Sequence, residues 1–381
     1  MDDGGEGVNI KETFFNLLGN EQRQNIMIPL LAIGLSLCVS GVLILLMGKN
    51  PLLAGYSLLQ GAGILPKATY AGSRGMLSDF MNLLNALTPM VFAALAVGVA
   101  LKAGLFNIGV SGQMLAAAFG ATVLVGYTEA LHPFIAKPAV LLIGVVLGGA
   151  VGGLIGFLKQ RFNINEVVSS IMLNYILMYT ISFFINTRYI DPVSRQSRYI
   201  TQAARLTLTD IRLGNMKMVF PLGIFLAVAA AFAIRFLLDK TRLGYEIKAV
   251  GSNRSAASYA GIHVGKNIMT AMAISGALAG LAGVCYYLGF YASIAPRVLS
   301  PMGFDAIAVS LLANSNPVGI LFSSLLITTI NTGSAYMSSA AGIQQEIASV
   351  FTAIILLFSA CSVAIRHFIG EKQTQREEHK G

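Results

Sequence analysis

Histidine, cysteine and the acids are the side chains that could act as nucleophile, base or metal ligand, and their spacing assembles no such group. His132, His263, His367 and His379 lie far apart, in loops or near the C-terminus, so no nucleophile, base and orienting acid fall together. Cys38, Cys285 and Cys361 each sit inside an apolar run, where a thiol behaves as a small buried hydrophobe. Neither a disulfide framework nor a zinc spacing links them. Gly265 and Lys266 lack the upstream glycine of a phosphate-binding loop and precede Asn267 rather than Ser or Thr. ATP hydrolysis, a metal and a cofactor are therefore not expected of this chain.

What remains is hydrogen bonding. Asn107 and Gln113 stand in GLFNIGVSGQMLAAAFG (Gly104 to Gly120), a glycine-permitted break followed by a helix start, and Asn314 stands between two short apolar pieces. Uncharged amides at membrane depth suit brief contacts with a neutral solute, whose donors and acceptors would otherwise cross hydrocarbon unsatisfied. These three are the candidates for a substrate path. The same amides, with Asn165, Asn174 and Asn331, equally suit hydrogen bonds between helices. Glu166, Asp305 and Glu346 each open an apolar run, where a carboxylate stabilises a helix start.

Such residues need a membrane scaffold, and the composition describes one. Of 381 residues, 55% are hydrophobic and 11% charged, against about 25% charged in an ordinary soluble domain; the mean hydropathy is +0.70. The expected fold class is all-α, a polytopic transmembrane helical bundle of about ten spans with short broken helices. The formal net charge of +9 lies in short loops beside apolar spans, with no basic stretch interleaved with stacking aromatics. It reads as topology and contact with the lipid bilayer, and no nucleic acid is expected as a partner.

Residues 1–25 read as an N-terminal tail, in which NIKETFFNLL suits a helix lying on the membrane. The polar start and the length of the first apolar run argue against a cleaved signal peptide. Residues 26–366 hold the transmembrane domain and 367–381 a charged C-terminal tail. Spans are expected at 26–48, 84–101, 110–126, 138–158, 166–185, 218–238, 267–290 and 343–365, with 50–62 at the outer interface. Two short pieces, 304–313 and 318–330, flank Asn314, Ser315, Asn316 and Pro317. At about 1.5 Å per residue the first reaches half the membrane, which leaves a steep tilt and one arm of a broken hairpin both open. Gly144, Gly148, Gly152 and Gly156 recur every four residues, and Gly276, Gly280 and Gly283 form a second small-residue face. Both suit close helix packing in lipid.

The segment 239–266 carries Lys240, Arg242, Lys248, Arg254 and Lys266 against Asp239 and Glu246, which places it in the cytoplasm. Its alanines favour helix, while Gly244, Gly251, Asn253 and Gly261 divide it into short pieces suited to lie along the membrane. The segment 186–217 is also basic, with Arg188, Arg195, Arg198, Arg205, Arg212 and Lys217. Charge alone would place it inside too, but two crossings separate the basic loops on either side of it, so it is expected outside as a small folded unit.

TRLG (Thr241 to Gly244), KAVG (Lys248 to Gly251), GIHV (Gly261 to Val264) and SGALAGLAG (Ser275 to Gly283) resemble the coupling loop and following span of ATP-binding-cassette importer permeases. The branch concerned takes up ribose, nucleosides and branched-chain amino acids. The Gly104 to Gly120 stretch resembles the signature of its sugar and nucleoside permeases, and GFDAIAVSLLANSNPVG (Gly303 to Gly319) its second signature. The mirrored position of the two is consistent with a two-fold internal repeat. The likeness runs from about residue 50 to 358 and is nearest to nucleoside permeases of basic-membrane-protein systems. It implies a multi-pass subunit of the plasma membrane, and the polar N-terminal tail, the charged C-terminal tail and the even count of about ten spans place both termini in the cytoplasm. It also implies an ATP-binding subunit, a second homologous permease and an extracytoplasmic substrate-binding protein as partners. Coupling to the ATPase then falls to Gly244, Glu246, Gly251, Arg254 and Gly261. Where relatives often carry an acid before the Gly-Gln pair, this chain has Ser111, so no ligand contact of that acid carries over. A simple sugar or riboflavin is the alternative solute within the family. An ion-coupled secondary transporter would need titratable groups mid-membrane, whereas most acids here lie near span ends.

Overall fold

Helix starts are written into the sequence as caps. Asn50, His132, Asn165, Thr241, Asn253 and Asn316 each turn a side-chain acceptor onto the first free backbone N–H groups of the helix that follows, and Pro51, Pro133 and Pro317 occupy first-turn positions where no N–H is missed. The computed structural model describes residues 21–70, 75–128, 131–213, 216–347 and 349–361. The N-terminal amphipathic segment and the C-terminal tail expected from the sequence lie outside them.

The helices are α1 (Glu21–Leu46), α2 (Pro51–Gly61), α3 (Met76–Lys102), α4 (Val110–Ala121), α5 (Pro133–Phe162), α6 (Glu166–Phe184), α7 (Gly223–Lys240), α8 (Arg242–Ser252), α9 (Arg254–Tyr259), α10 (Val264–Val284), α11 (Met302–Leu312), α12 (Pro317–Ala341) and α13 (Ser349–Cys361). Wider π turns prolong α4, α6 and α10 over Thr122–Gly126, Ile185–Tyr189 and Cys285–Tyr291. Among the described residues six helical segments are long and apolar enough to cross a membrane: Met27–Leu46, Met76–Lys102, Pro133–Phe162, Glu166–Tyr189, Val264–Tyr291 and Pro317–Ala341. α4, α11 and α13 are apolar but shorter, and α7 carries Arg235, Asp239 and Lys240; the 11 residues of α11 span only about half a membrane. The family of all-α membrane bundles is thus the right one.

Within it, several boundaries move. The second span begins at Met76, not residue 84, and the piece expected at 318–330 continues to Ala341. The span expected at 218–238 starts late, because Met216–Pro221 (β2) pairs antiparallel with Thr207–Leu213 (β1), bringing Thr207 opposite Pro221 and Leu213 opposite Met216. An apolar run of that length looks alike as strand or helix. Ile343 precedes the last helix, whose described part is Ser349–Cys361.

α3 is the axis of the bundle. From Leu83 to Ala100 almost every residue is buried, and α10, α11, α12 and α7 pack around it. The molecule has two ends. At the polar end, Gly251 abuts Lys102 to Gly104, Lys159 pairs with Glu166 at 2.9 Å, and Lys102 Nζ donates to the Asn314 carbonyl at 3.3 Å. At the hairpin end, Thr201 N donates to Gly126 O, Ser197 N to Ile294 O and Thr207 Oγ1 to Gly289 O. α1, α4, α6, α10 and α12 run toward the hairpin end and α3, α5 and α7 run back to the polar end, while α11 and the described part of α13 run in that same direction over shorter distances.

Candidate functional site

Residues 239–266 build a rigid face at the polar end. The Thr241 hydroxyl accepts from Gly244 N and donates to Leu237 O, so the chain turns sharply from α7 into α8. A methyl on Gly244 would meet the backbone of Leu237 and Leu238. Gly251 lies backbone to backbone on Gly104, which has a φ of +66°; a methyl on Gly104 would come within 2.9 Å of the Gly251 carbonyl. The Arg254 guanidinium donates to Gly104 O at 3.2 Å. Glu246 accepts from Arg242 Nε at 2.8 Å and from Asn267 Nδ2 at 3.0 Å. The Asn267 hydrogen bond first, and then Arg242, hold its carboxyl below the ordinary carboxylate range. Gly261 takes a left-handed φ of +79° with open space where a Cβ would be. The outer surface is exposed: Tyr259 is 95% accessible, Tyr245 67%, and a recess of about 310 Å³ opens between Arg242, His263 and Lys266. The face is exposed on one side and joined to the core helix on the other.

The break before α4 is closed by side chains. Asn107 Nδ2 donates to Gln113 Oε1 (3.0 Å) and to Ser275 Oγ (2.8 Å), its Oδ1 accepts from Gly109 N (2.9 Å), and Ser275 in turn donates to Ala96 O. Asn107, Gln113 and Ser275 are at most 1% exposed. Asn174 of α6 accepts from Gly112 N and donates to Ile108 O, and Ser111 donates to Ser300 O. Sequence reading singled out Asn107 and Gln113 but missed Ser275 and Ser300, whose partners lie more than 150 residues away along the chain. Asn314 is elsewhere. It and Ser315 turn α11 into α12 with φ of 52° and 53°, and it lines a cleft of about 890 Å³ bounded by Lys102, Arg235 and Lys248 and by Leu30, Ile33 and Phe322.

The two glycine faces meet. Gly148 and Gly152 of α5 lie against Gly280 and Gly276 of α10 so closely that an added methyl would strike backbone, a methyl on Gly144 would crowd the Val284 side chain, and Gly156 abuts Met269. A third cavity, of about 600 Å³, opens toward the hairpin end between Tyr286, Phe290 and Tyr291 on one side and Asp305, Asn331 and Glu346 on the other. Asp305, in the first turn of α11, accepts from Asn331 Nδ2 of α12 at 3.0 Å. Glu166 begins α6 beneath the Asn165 cap; Glu346 lies in the turn before α13. Among the described residues no group of three or more His, Cys, Asp or Glu could hold a metal.

Residues 80–360 match a family model described as branched-chain amino acid transport system / permease component. The chain is 36% identical over 348 residues to a guanosine ABC transporter permease protein of Bacillus subtilis (strain 168), covering 91% of this chain and 96% of that one. It is 32% identical over 352 residues to a nucleoside ABC transporter permease protein of Lactococcus lactis subsp. cremoris (strain MG1363), covering 91% and 93%. Against a glucose ABC transporter permease protein of Haloferax volcanii the identity is 27% over 357 residues, covering 89% and 88%.

Proposed function

The chain belongs to the permease family of branched-chain amino acid transport systems, and from that premise we propose that it is the membrane subunit through which an ATP-binding-cassette importer carries nucleosides into the cell. The observation that carries the solute class is the match along 91% of the chain to two permeases named for guanosine and nucleosides, at 36% and 32% identity. The weaker match to a glucose permease keeps a simple sugar as the second reading.

An importer permease works with an ATP-binding subunit and a substrate-binding protein. The exposed basic face of α8 and α9 is the surface offered to the ATP-binding subunit, with Gly244, Glu246, Gly251, Arg254 and Gly261 shaping it. Because Gly251 rests on the end of α3, a push on α8 moves the core helix directly. The polar end then faces the cytoplasm with both termini, and the 186–217 loop faces outward. A second, homologous permease pairs with this one, and the stripe of Met172, Tyr175, Tyr179 and Phe183, all exposed on α6, gives it an apolar surface. Asn107 and Gln113 form the wall behind the path by fixing the break, and Asn314 lines its cytoplasmic mouth.

The test is uptake of labelled guanosine into liposomes holding the assembled transporter. Uptake should require ATP and stop when the Walker lysine of the ATP-binding subunit is replaced, with ion gradients intact. Uptake that persists in that variant overturns the ATP-driven reading, and uptake of glucose with none of guanosine overturns the nucleoside assignment.

A further inference from the structure

We propose that the 600 Å³ cavity between the π turn of α10, α11, α12 and the turn before α13 is a nucleoside subsite on the transport path that admits nucleosides and rejects their phosphates. The proposal rests on the nucleoside reading above and adds the place and the chemistry of recognition.

The volume lies within the range of small-molecule sites. Its depth follows from α12: Asn331 sits ten residues before Ala341, the end of that helix, hence about 15 Å below the hairpin end at 1.5 Å per residue. The floor is Ala86 and Met90 of α3, so the cavity reaches from the hairpin end to the core helix.

Each wall fits one half of a nucleoside. Tyr286, Phe290 and Tyr291 form an aromatic cluster with Tyr291 at its centre, its ring 4.9 Å from both of the others at 62° and 80°. Tyr291 is 52% exposed and lines the cavity, so part of its ring remains open to a ligand. A flat base stacks on such a ring whatever its sequence of ring atoms. Opposite stand Asp305, already oriented by the Asn331 amide, and Glu346. A carboxylate accepts hydrogen bonds from the ribose hydroxyls or from base N–H groups, which a nucleoside supplies and hydrocarbon does not.

The charge balance sets the selectivity. The cavity is lined by two carboxylates and, among the described residues, by no lysine, arginine or histidine; none of the ion pairs between described residues involves Asp305 or Glu346. An intramembrane carboxylate held only by a neutral amide is costly to keep unless it has a task. A helix start alone does not require Asp305 to face a cavity or Asn331 to reach across from α12. A nucleotide phosphate would enter against two like charges with no countercharge among the described lining residues, whereas a neutral nucleoside meets acceptors for its donors.

The experiment uses the complete permease and ATP-binding assembly in nanodiscs, without binding protein, and measures tritiated guanosine binding with unlabelled guanosine, guanosine monophosphate and glucose as competitors. Guanosine should bind saturably and be displaced by guanosine but not by the monophosphate or glucose. Tyr291→Ala should weaken binding at least tenfold while Tyr291→Phe retains it, and Asp305→Asn with Glu346→Gln should let the monophosphate compete. The same assembly with its binding protein in liposomes should transport guanosine at least tenfold more slowly as Tyr291→Ala than as Tyr291→Phe. Guanosine transport at wild-type rate in Tyr291→Ala, or competition by the monophosphate in the unaltered protein, overturns the subsite and leaves the importer reading standing. Absence of guanosine transport by the unaltered assembly overturns that reading itself.

Discussion

A single amide, Asn107, ties the break before α4 to α10 and, through Ser275, to α3, and its worth can be stated. Asn107→Leu would strip partners from Gln113 and from the Gly109 N–H, and each buried polar group so left costs about 1–3 kcal/mol. The variant should melt several degrees lower in detergent and transport more slowly. A wild-type melting temperature combined with slow transport would instead make Asn107 a group that meets the solute. Asn107 and Gln113 were legible because amides in an apolar glycine-rich run are conspicuous. Their closure was not, because Ser275 is an ordinary serine in sequence and becomes a partner only when α10 is folded against the break. Asp305 shows the same limit: its place at a helix start is readable locally, whereas the Asn331 amide that faces it comes from another helix. Glu246 permits a pH test. Its pKa is lowered from an ordinary 4.5, so the stabilisation it gives is present above that value and is lost as the pH falls through the lower folded value. Thermal melting between about pH 5 and 3 should therefore decline more steeply for the wild type than for Glu246→Gln. Parallel curves would mean that the Asn267 and Arg242 contacts do not hold the carboxylate in solution.

Between elements, close approach of backbone decides more than hydrophobicity. A methyl on Gly148 would come within 2.6 Å of the Gly280 Cα, while one on Gly149, a residue further on, would lie 3.4 Å from the nearest atom, the Ala273 carbonyl. Gly148→Ala should therefore cost about 1–3 kcal/mol through forced separation of α5 from α10, and Gly149→Ala should be nearly neutral, both measured by thermal or urea unfolding in detergent. Equal effects would mean that the seam yields. The four-residue glycine repeat was legible as a packing ridge, but sequence alone does not say which helix it meets. The hairpin was not legible, since alternation in a short apolar run is overridden in a hydropathy window by its mean. Gly251 is a different kind of contact, a glycine that joins the surface helix α8 to the end of α3. Gly251→Val would drive a side chain into the backbone of Lys102 to Gly104, separating the docking face from the core. ATP hydrolysis by the assembled complex should then continue with uptake reduced by more than tenfold. Normal uptake, or failure of the subunits to assemble, would deny the contact a coupling role.

For the whole molecule, the alternation of helix directions fixes which segments share a side, and it resolves a conflict that charge alone leaves open. The arginine-rich 186–217 loop and the basic 239–266 segment would both be held inside by their charge, yet α7 runs from one end of the bundle to the other between them. The loop is moreover pinned to the hairpin end, where Ile200 N donates to Ala292 O and Arg198 N to Tyr189 O. The rule that orients short unstructured loops applies only weakly to a folded unit, so the proposed outward placement of this loop does not conflict with its charge. On the reading proposed above, the segment that sets orientation is 239–266, whose lysines and arginines lie on short helices beside long apolar ones. Arg198 and Ser252 are both exposed, so each accepts a reporter cysteine without disturbing the core. In a background where the exposed Cys38 and Cys361 are replaced by serine and the buried Cys285 is kept, a membrane-impermeant maleimide should label Arg198→Cys in intact cells. It should label Ser252→Cys only after permeabilisation. The reverse pattern would invert the molecule and remove the docking face from the cytoplasm. Labelling of both in intact cells would mean that α7 does not cross, and with it the alternation on which the two-ended architecture depends.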